Sequence, residues 1–385
     1  MNRREFLCAC AAASCAAILP RPAAAGVTPG YRNLLVLVEL KGGNDGLNTV
    51  VPYADPAYYA LRPRIAIARD QVLQLDARTG LHPALAPLLP LWQARELALV
   101  QGVGYARPNL SHFRSIEIWD TASASEEILA DGWLARAFAA HPTPRGFAAD
   151  GVVVGASDLG PLAGTGARAV ARASTAQFQR QAKLAQPLEA PGGTRALAHL
   201  LKVEADVARA AAGLQGDHAF RTAFPQGAFG QAVRTAAQVV AANAGVAAVH
   251  LGLNGFDTHQ NQSGVHANLL RQLAEGLAAL RGALVELDRW GSTLVLTYAE
   301  FGRRPQENGS GGTDHGTANV HFALGGAVRG GLVGPAPRLD RLEGGNLAHG
   351  IEFRSLYATV LERWWGVPAS GVLGGRFAPL DLLKA

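Results

Sequence analysis

Six short, almost uninterrupted apolar runs constrain this chain more than any other feature. They cover residues 33–40 (NLLVLVEL), 96–104 (ELALVQGVG), 151–157 (GVVVGAS), 246–253 (VAAVHLGL), 292–298 (STLVLTY) and 320–328 (VHFALGGAV). Most close on glycine or polar turn residues. Runs of this length without alternation read as strands buried on both faces, as in parallel sheets. Helical patterns lie between them. In 265–290, Leu269, Leu273, Leu277, Leu280, Leu284 and Leu287 recur at spacings of three and four, which makes one apolar stripe. Alanine-rich segments near 195–214 and 228–244 also read as helices. A last helix over 352–366 is stopped by Gly366 and Pro368. Strands alternating with helices predict an α/β fold, a doubly wound, mostly parallel sheet with helices on both faces. Residues 160–245 carry little strand signal and read as a helical cap or insertion.

The N-terminus reads as an export signal over residues 1–25. Arg3 and Arg4 precede Phe6 and Leu7, and a short apolar run ends in small residues at Ala23 and Ala25. The run is too short to span a bilayer, so it predicts a removable signal. The paired arginines point to the twin-arginine machinery and a periplasmic or extracellular destination. That route carries folded proteins, which suits one that loads a metal before export. Later apolar runs are strand-length or amphipathic, so no stable membrane insertion is expected. All three cysteines, Cys8, Cys10 and Cys15, fall within the signal. The expected mature chain, a single domain over 26–385, then has neither disulfide nor thiol ligand. Taking the signal's three arginines and one glutamate from 35 basic and 30 acidic residues leaves a net charge of +3. With no basic cluster, nucleic acid is excluded as a partner.

The polar residues fall where such a sheet binds ligands, beyond the carboxyl ends of its strands. Asp45 follows the first run, Ser111 the second, Asp257 and His259 the fourth, and Glu300 the fifth. Asp314 and His315 stand before the sixth in a glycine-rich loop. Three or four carboxylates and two histidines suffice to hold one or two divalent ions. Oxygen and imidazole ligands suit zinc, manganese, magnesium or calcium. Two ions about 4 Å apart clamp both oxygens of an in-line displacement on phosphorus or sulfur. Ser111 opens the helix SHFRSIEIWDTA, and a hydroxyl beside such an ion can act as nucleophile. The helix start favours an anionic substrate, and Arg114, one turn on, could meet its oxygens. Other residues have blander readings. Asn44 and Asn48 shape the turn, His112 caps or packs with assistance to Ser111 as its alternative, His321 is core or supports a ligand from behind, and Trp364 and Trp365 pack. Arg303 and Arg304 pair with local carboxylates, and His349 stands as an alternative final ligand.

Five stretches carry a family resemblance: LVELKGGNDGLNTVVPY, SHFRSIEIWDTA, GFDTHQNQ, YAEFGRRPQENGSGGTDHGTANVHFALGGAVRGG and FRSLYATVLERWWG. Together they resemble the family called domain of unknown function 1501, over about residues 33–366. That resemblance implies a fold like the alkaline phosphatase and sulfatase clan, a twin-arginine signal and a metal site, but no fixed reaction. The clan's ligand order maps first onto Asp45, with Ser111 as nucleophile, then onto Asp257 and His259. A strand followed by Thr-x-Asp-His-Gly comes next, and it has two claimants. TDHG (313–316) matches in letters. TLVLTYAEFG (293–302) matches in context and makes Glu300 the ligand, with Phe301 where the clan has histidine. On the second reading Glu300 converges with Asp45 at one ion. His315 then stands with Asp257 at the other, and Asp314 supports.

These readings predict an exported metal-dependent hydrolase acting on a phosphate or sulfate ester, possibly glycan-linked, through Ser111. The rival is a non-catalytic exported binding or envelope-assembly protein that keeps a degenerate metal site.

Overall fold

The computed structural model describes residues 30–172, 210, 213–214 and 218–384. The expected export signal, its cysteines and Arg3 and Arg4 lie outside the described residues. So does the helical pattern at 195–214, apart from residues 210, 213 and 214. The described strands are β1 (Leu34–Lys41), β2 (Val50–Val51), β3 (Leu73–Gln74), β4 (Gly80–Leu81), β5 (Leu97–Gly104), β6 (Gly151–Val154), β7 (Ala169–Arg172), β8 (Ala248–Asn254), β9 (Thr293–Tyr298), β10 (Arg303–Glu307), β11 (Thr313–His315), β12 (Asn319–Leu324), β13 (Gly331–Val333) and β14 (Ile351–Glu352).

Nine of them form one sheet in the order β13-β5-β12-β9-β1-β8-β6-β7, with β14 also on β5. Only β12 runs against its neighbours β5 and β9. The other described pairs of this sheet are parallel. The mostly parallel α/β sheet expected from the apolar runs is therefore present. The reason shows in β1. Leu34, Val36, Val38 and Leu40 pack on one face with Leu269, Leu273, Leu277 and Leu280 of the helix Gln262–Glu286. Leu35 and Leu37 pack on the other with Trp119 of the helix His112–Thr121, Trp133 of the helix Trp133–Ala140, and Tyr357. Each such leucine contributes roughly 1.5–3 kcal/mol by leaving water, so the run has no polar face to spare.

The leucine stripe forms the helix Gln262–Glu286, starting three residues earlier than its pattern. The final helix runs Arg354–Ala358 and continues in wider π turns over Thr359–Trp364. Trp364 and Trp365 are buried, and they donate to Leu34 O (3.2 Å) and Asn33 O (2.8 Å), anchoring the start of β1. Within 160–245, the described residues hold a short 3-10 turn at Gly160–Leu162, the edge strand β7 and the helix Ala228–Ala241. No described helix is long and apolar enough to cross a membrane.

Two features set up the site. The turn after β1 uses Gly42 and Gly43 at φ +112° and +78°. A Cβ on Gly42 would stand 2.4 Å from Asp257 N, and one on Gly43 2.5 Å from the Phe301 ring, so only glycine allows this approach. The segment read as a glycine-rich loop before β12 is instead a hairpin, β10–β11, pairing Arg303 with His315 and Glu307 with Thr313. Thr313 N donates to Thr258 O at 3.2 Å, which docks the hairpin on the turn after β8.

Candidate metal centre

The centre forms where three chain segments meet: the helix start after β5, the turn after β8 and the end of β11. Asp257 is its hub. Oδ1 lies 3.1 Å from His315 Nε2 and 3.0 Å from His259 Nε2, and Oδ2 lies 3.4 Å from His112 Nε2. The His259 and His315 Nε2 atoms are 2.9 Å apart. His112, Asp257 and His315 each offer a ligand atom within 4.8 Å of the others.

The far side of each ring decides its proton. His315 Nδ1 meets Leu110 O at 2.8 Å. A carbonyl can only accept, so Nδ1 carries hydrogen and Nε2 presents a lone pair. His112 Nδ1 lies 2.8 Å from Glu300 Oε1, which also accepts from Gly42 N at 2.9 Å. His259 Nδ1 lies 3.3 Å from Asp314 Oδ1. This is how a metal-binding imidazole is oriented from behind, by a carboxylate or carbonyl on its other nitrogen. The result is three imidazole nitrogens converging on one carboxylate.

Asp257 is ionised at any ordinary pH. Burial pulls its carboxyl up, but the hydrogen bond and charge of Arg303 outweigh that and hold it below the usual carboxylate range. Arg303 is fully buried. It spends its guanidinium on Gly43 O (2.7 Å), Thr313 O (2.9 Å), Phe256 O (3.1 Å) and Asp257 Oδ1 (2.6 Å). One cation so fully engaged does not satisfy the remaining lone pairs. Burial lowers His315 as well, which keeps its lone pair available. Asp314 is held low by Asn308 and His259. The donor set therefore fits one divalent cation. Imidazoles outnumber carboxylates in it, which favours a zinc-type ion over magnesium or calcium.

The structure brings together Asp257, His259, Asp314 and His315 of the residues expected from the sequence. Glu300 reaches the group only through His112. Its Oε2 is buried without a hydrogen-bond partner. Asp45 does not converge with Glu300. It is wholly buried, its Oδ2 and Oδ1 bound by Arg62 Nη1 (2.6 Å) and Nη2 (3.0 Å), with Gln262 Nε2 also on Oδ2. Burial would raise its carboxyl, but Arg62 outweighs that and lowers it. Arg114 turns the other way. It pairs with Glu117 (2.9 Å) and donates to Ser125 O (3.1 Å), tethering the loop at 124–127. Ser111 caps the helix His112–Thr121 by position, but its side chain makes no cap hydrogen bond, and it is exposed beside His112. Asn44 and Asn48 build the turn: Asn44 bonds Thr49 (3.0 Å) and His266 (2.9 Å), and Asn48 donates to Ile65 O (2.7 Å). His349 is exposed in a separate cleft.

Arg303 pairs with the Asp257 carboxylate as expected, and His112, expected to cap, pack or assist Ser111, stands with its Nε2 3.4 Å from Asp257. The available signal for His112 was its place, the first helical residue beyond a buried strand. Phe301, where the resembled clan has a histidine, walls the group, its ring centroid 4.4 Å from His315 and 4.9 Å from His112.

A family model described as "Protein of unknown function (DUF1501)" matches residues 32–370. No curated protein sequence matches the chain. Among solved structures, the lipoteichoic acid synthase LtaP from Listeria monocytogenes is similar at 9% identity and TM-score 0.41, covering 91% of this chain and 75% of that one. The C-terminal periplasmic domain of EcEptC from Escherichia coli, in complex with Zn, is similar at 9% identity and TM-score 0.36, covering 76% and 72%. The TAB5 alkaline phosphatase, as a mutant with Mg bound, is similar at 14% identity and TM-score 0.35, covering 77% and 91%. Overlaps of this extent assign no role to any residue of this chain.

Proposed function

The chain belongs to the DUF1501 family, and from that premise and the geometry of its histidine group we propose that it is an exported metal-dependent hydrolase of phosphate or sulfate esters. One observation carries the reading. The Nε2 atoms of His112 and His315 converge on the Asp257 carboxylate at 3.4 and 3.1 Å, a set of ligand-type atoms that suits a bound cation. His112, Asp257 and His315 would hold one zinc-type ion, with His259 completing the set and Asp314 and Glu300 orienting the imidazoles. Asp45 is committed to Arg62 and lies outside this ligand set.

A bound ion would supply Lewis acidity toward an anionic ester oxygen. Ser111 is the candidate nucleophile. Its hydroxyl is exposed, makes no cap bond, and stands one residue from His112. The amides opening the helix His112–Thr121 favour a negatively charged group beside it. Arg303 keeps Asp257 ionised and in place. The twin-arginine signal over residues 1–25 and a periplasmic or extracellular site of action belong to this reading, as does the single domain over 26–385.

The test is metal analysis of protein purified without chelator, joined to a phosphate- and sulfate-ester screen of wild type and Ser111→Ala. About one equivalent of zinc-type metal and an esterase activity lost in Ser111→Ala are expected. Metal-free protein under every loading condition would sink the site, and full activity in Ser111→Ala would sink the nucleophile. Phe301 standing in for a histidine favours the rival, a binding protein that keeps the metal without turnover. Bound metal with no hydrolysis of any ester would select it.

A further inference from the structure

A cavity of about 700 Å³ lies at the far edge of the sheet from the histidine group. It is bounded where three parallel strands begin: Arg32 and Leu34 at β1, Val246 just ahead of β8 and Ser292 just ahead of β9. The histidine group lies beyond the opposite ends of these strands. The 8 residues of β1 put roughly 25 Å between the two places. Nothing in the proposed function uses this cavity, and its volume falls within the roughly 300–1,000 Å³ usual for a small-molecule site.

One wall is apolar. Ala148 N donates to Ala244 O at 2.8 Å and to Gly245 O at 3.1 Å, which ties residues 147–148 to the turn before β8. Gly245 stands at φ +76°, and a Cβ there would lie 2.5 Å from the Phe147 ring, so only glycine lets that ring close the wall. Phe147, Val240 and Val246 are half-buried and line the cavity. The other wall is cationic. Arg289 donates from Nε to Ser292 Oγ at 3.0 Å and from Nη2 to Arg32 O at 2.8 Å, which spends two of its five N–H groups. Burial without a carboxylate partner pulls its pKa down. Arg32 is exposed and pairs with no described carboxylate either. No acidic residue stands among the described residues that line the cavity. Asp288 is exposed outside it, and the buried Asp150 near Tyr31 is paired with Arg168 at 2.7 Å. The helices Ala228–Ala241 and Gln262–Glu286 end at this edge, but each C-terminus offsets only about half a charge. Two guanidiniums beside open apolar surface call for an oxyanion carried on a hydrocarbon or aromatic body.

We propose that this cavity binds a small amphiphilic oxyanion. Its carboxylate, sulfate or phosphate group is held by Arg289 and Arg32, and its apolar body lies against Phe147, Val240 and Val246. The site is separate from the histidine group and does not depend on the reaction proposed for that group.

The experiment follows the fluorescence of 8-anilinonaphthalene-1-sulfonate added to the full-length protein. N-phenyl-1-naphthylamine, the same rings without the sulfonate, is the neutral comparison. The anionic probe should bind roughly tenfold more tightly, the low end for a hydrogen bond to a charged group. Arg289→Gln should weaken the anionic probe about tenfold and leave the neutral one nearly unchanged. Arg32→Gln should weaken it about 2- to 5-fold, as for an exposed ion pair. A Cβ at Gly146, which lines the cavity, would meet nothing within 4 Å, so a large side chain fits there and fills the space. Gly146→Trp should weaken both probes about tenfold. Should Arg289→Gln not fold, Arg32→Gln and Gly146→Trp read the same site from open positions. Equal binding of the two probes, or anionic binding unchanged in the variants, overturns the site. So does binding abolished by chelator or by His315→Ala, because that places the sulfonate on the metal group.

Discussion

Asp45 and Asp257 look alike in sequence and differ in almost every physical respect. Each follows a buried parallel strand through a short glycine-containing turn. The Asp45 side chain is about 1% exposed and carries a bidentate arginine, two backbone donors and Gln262. The Asp257 side chain is 46% exposed and faces three imidazoles and one arginine. The strand end delivers both carboxylates to the same edge of the sheet. Which partners reach them decides what they do. Arg62 arrives from the short helix Pro56–Leu61 just beyond β2 and closes off Asp45. His112 and His315 arrive from sequence distances of 145 and 58 residues, read from their numbering, and leave Asp257 open to a ligand. A carboxylate enclosed by its partners supports the fold; one left half exposed among imidazoles is available for binding.

The sharpest way to break this comparison is to remove one partner from each side. Arg62→Ala leaves Asp45 buried and uncompensated, and should cost about 3–5 kcal/mol in urea unfolding. Asp257→Asn should cost less than that, since Asp257 is half exposed and the buried Arg303 keeps its carbonyl partners Gly43, Thr313 and Phe256, while abolishing metal binding. Equal losses of stability in the two variants would end the distinction.

The orienting residues come next. Glu300→Gln should lower metal affinity about 10- to 100-fold, measured by competition against a chromophoric chelator. His315→Ala should lower it further. A folded Asp45→Asn variant should keep the full metal content, and loss of metal there would return Asp45 to the ligand set.

Acid separates the regions again. His266 bonds Asn44 in the Asp45 network, and burial pushes it down to about 4; burial puts His82 and His250 at about 4 and His321 at about 3. The unfolded chain protonates histidine near 6.5. As pH falls from there toward 4, the unfolded state binds protons that these folded groups refuse, so stability drops. Each group contributes a slope of at most about 1.4 kcal/mol per pH unit. Urea unfolding from pH 7 to 4.5 should show the fall, and His321→Leu should make it shallower. An unchanged slope would mean that His321 titrates normally. The smallest effect is expected from Arg114→Ala. It loosens the loop at 124–127 but should change metal affinity less than about twofold, since its partners, the Glu117 carboxylate and the Ser125 carbonyl, lie outside the group.

Much of the architecture was legible in the linear chain because burial on both faces is a local demand. Runs such as LLVLVEL admit no polar position, so β1, β5, β8 and β9 could be placed from composition and spacing alone, and so could the leucine-striped helix. The edge strand β7 and the β10–β11 hairpin were not legible. Their residues alternate or mix, and only tertiary neighbours tell such segments from loops. For the site, the chain alone marked strand ends as the place and named Asp257, His259, Glu300, Asp314 and His315. It could not separate Asp45 from Asp257, or promote His112 from packing residue to part of the centre. Those outcomes depend on which distant nitrogen faces which oxygen. Only the folded sheet determines that, by bringing the helix start after β5 and the end of β11 against the turn after β8.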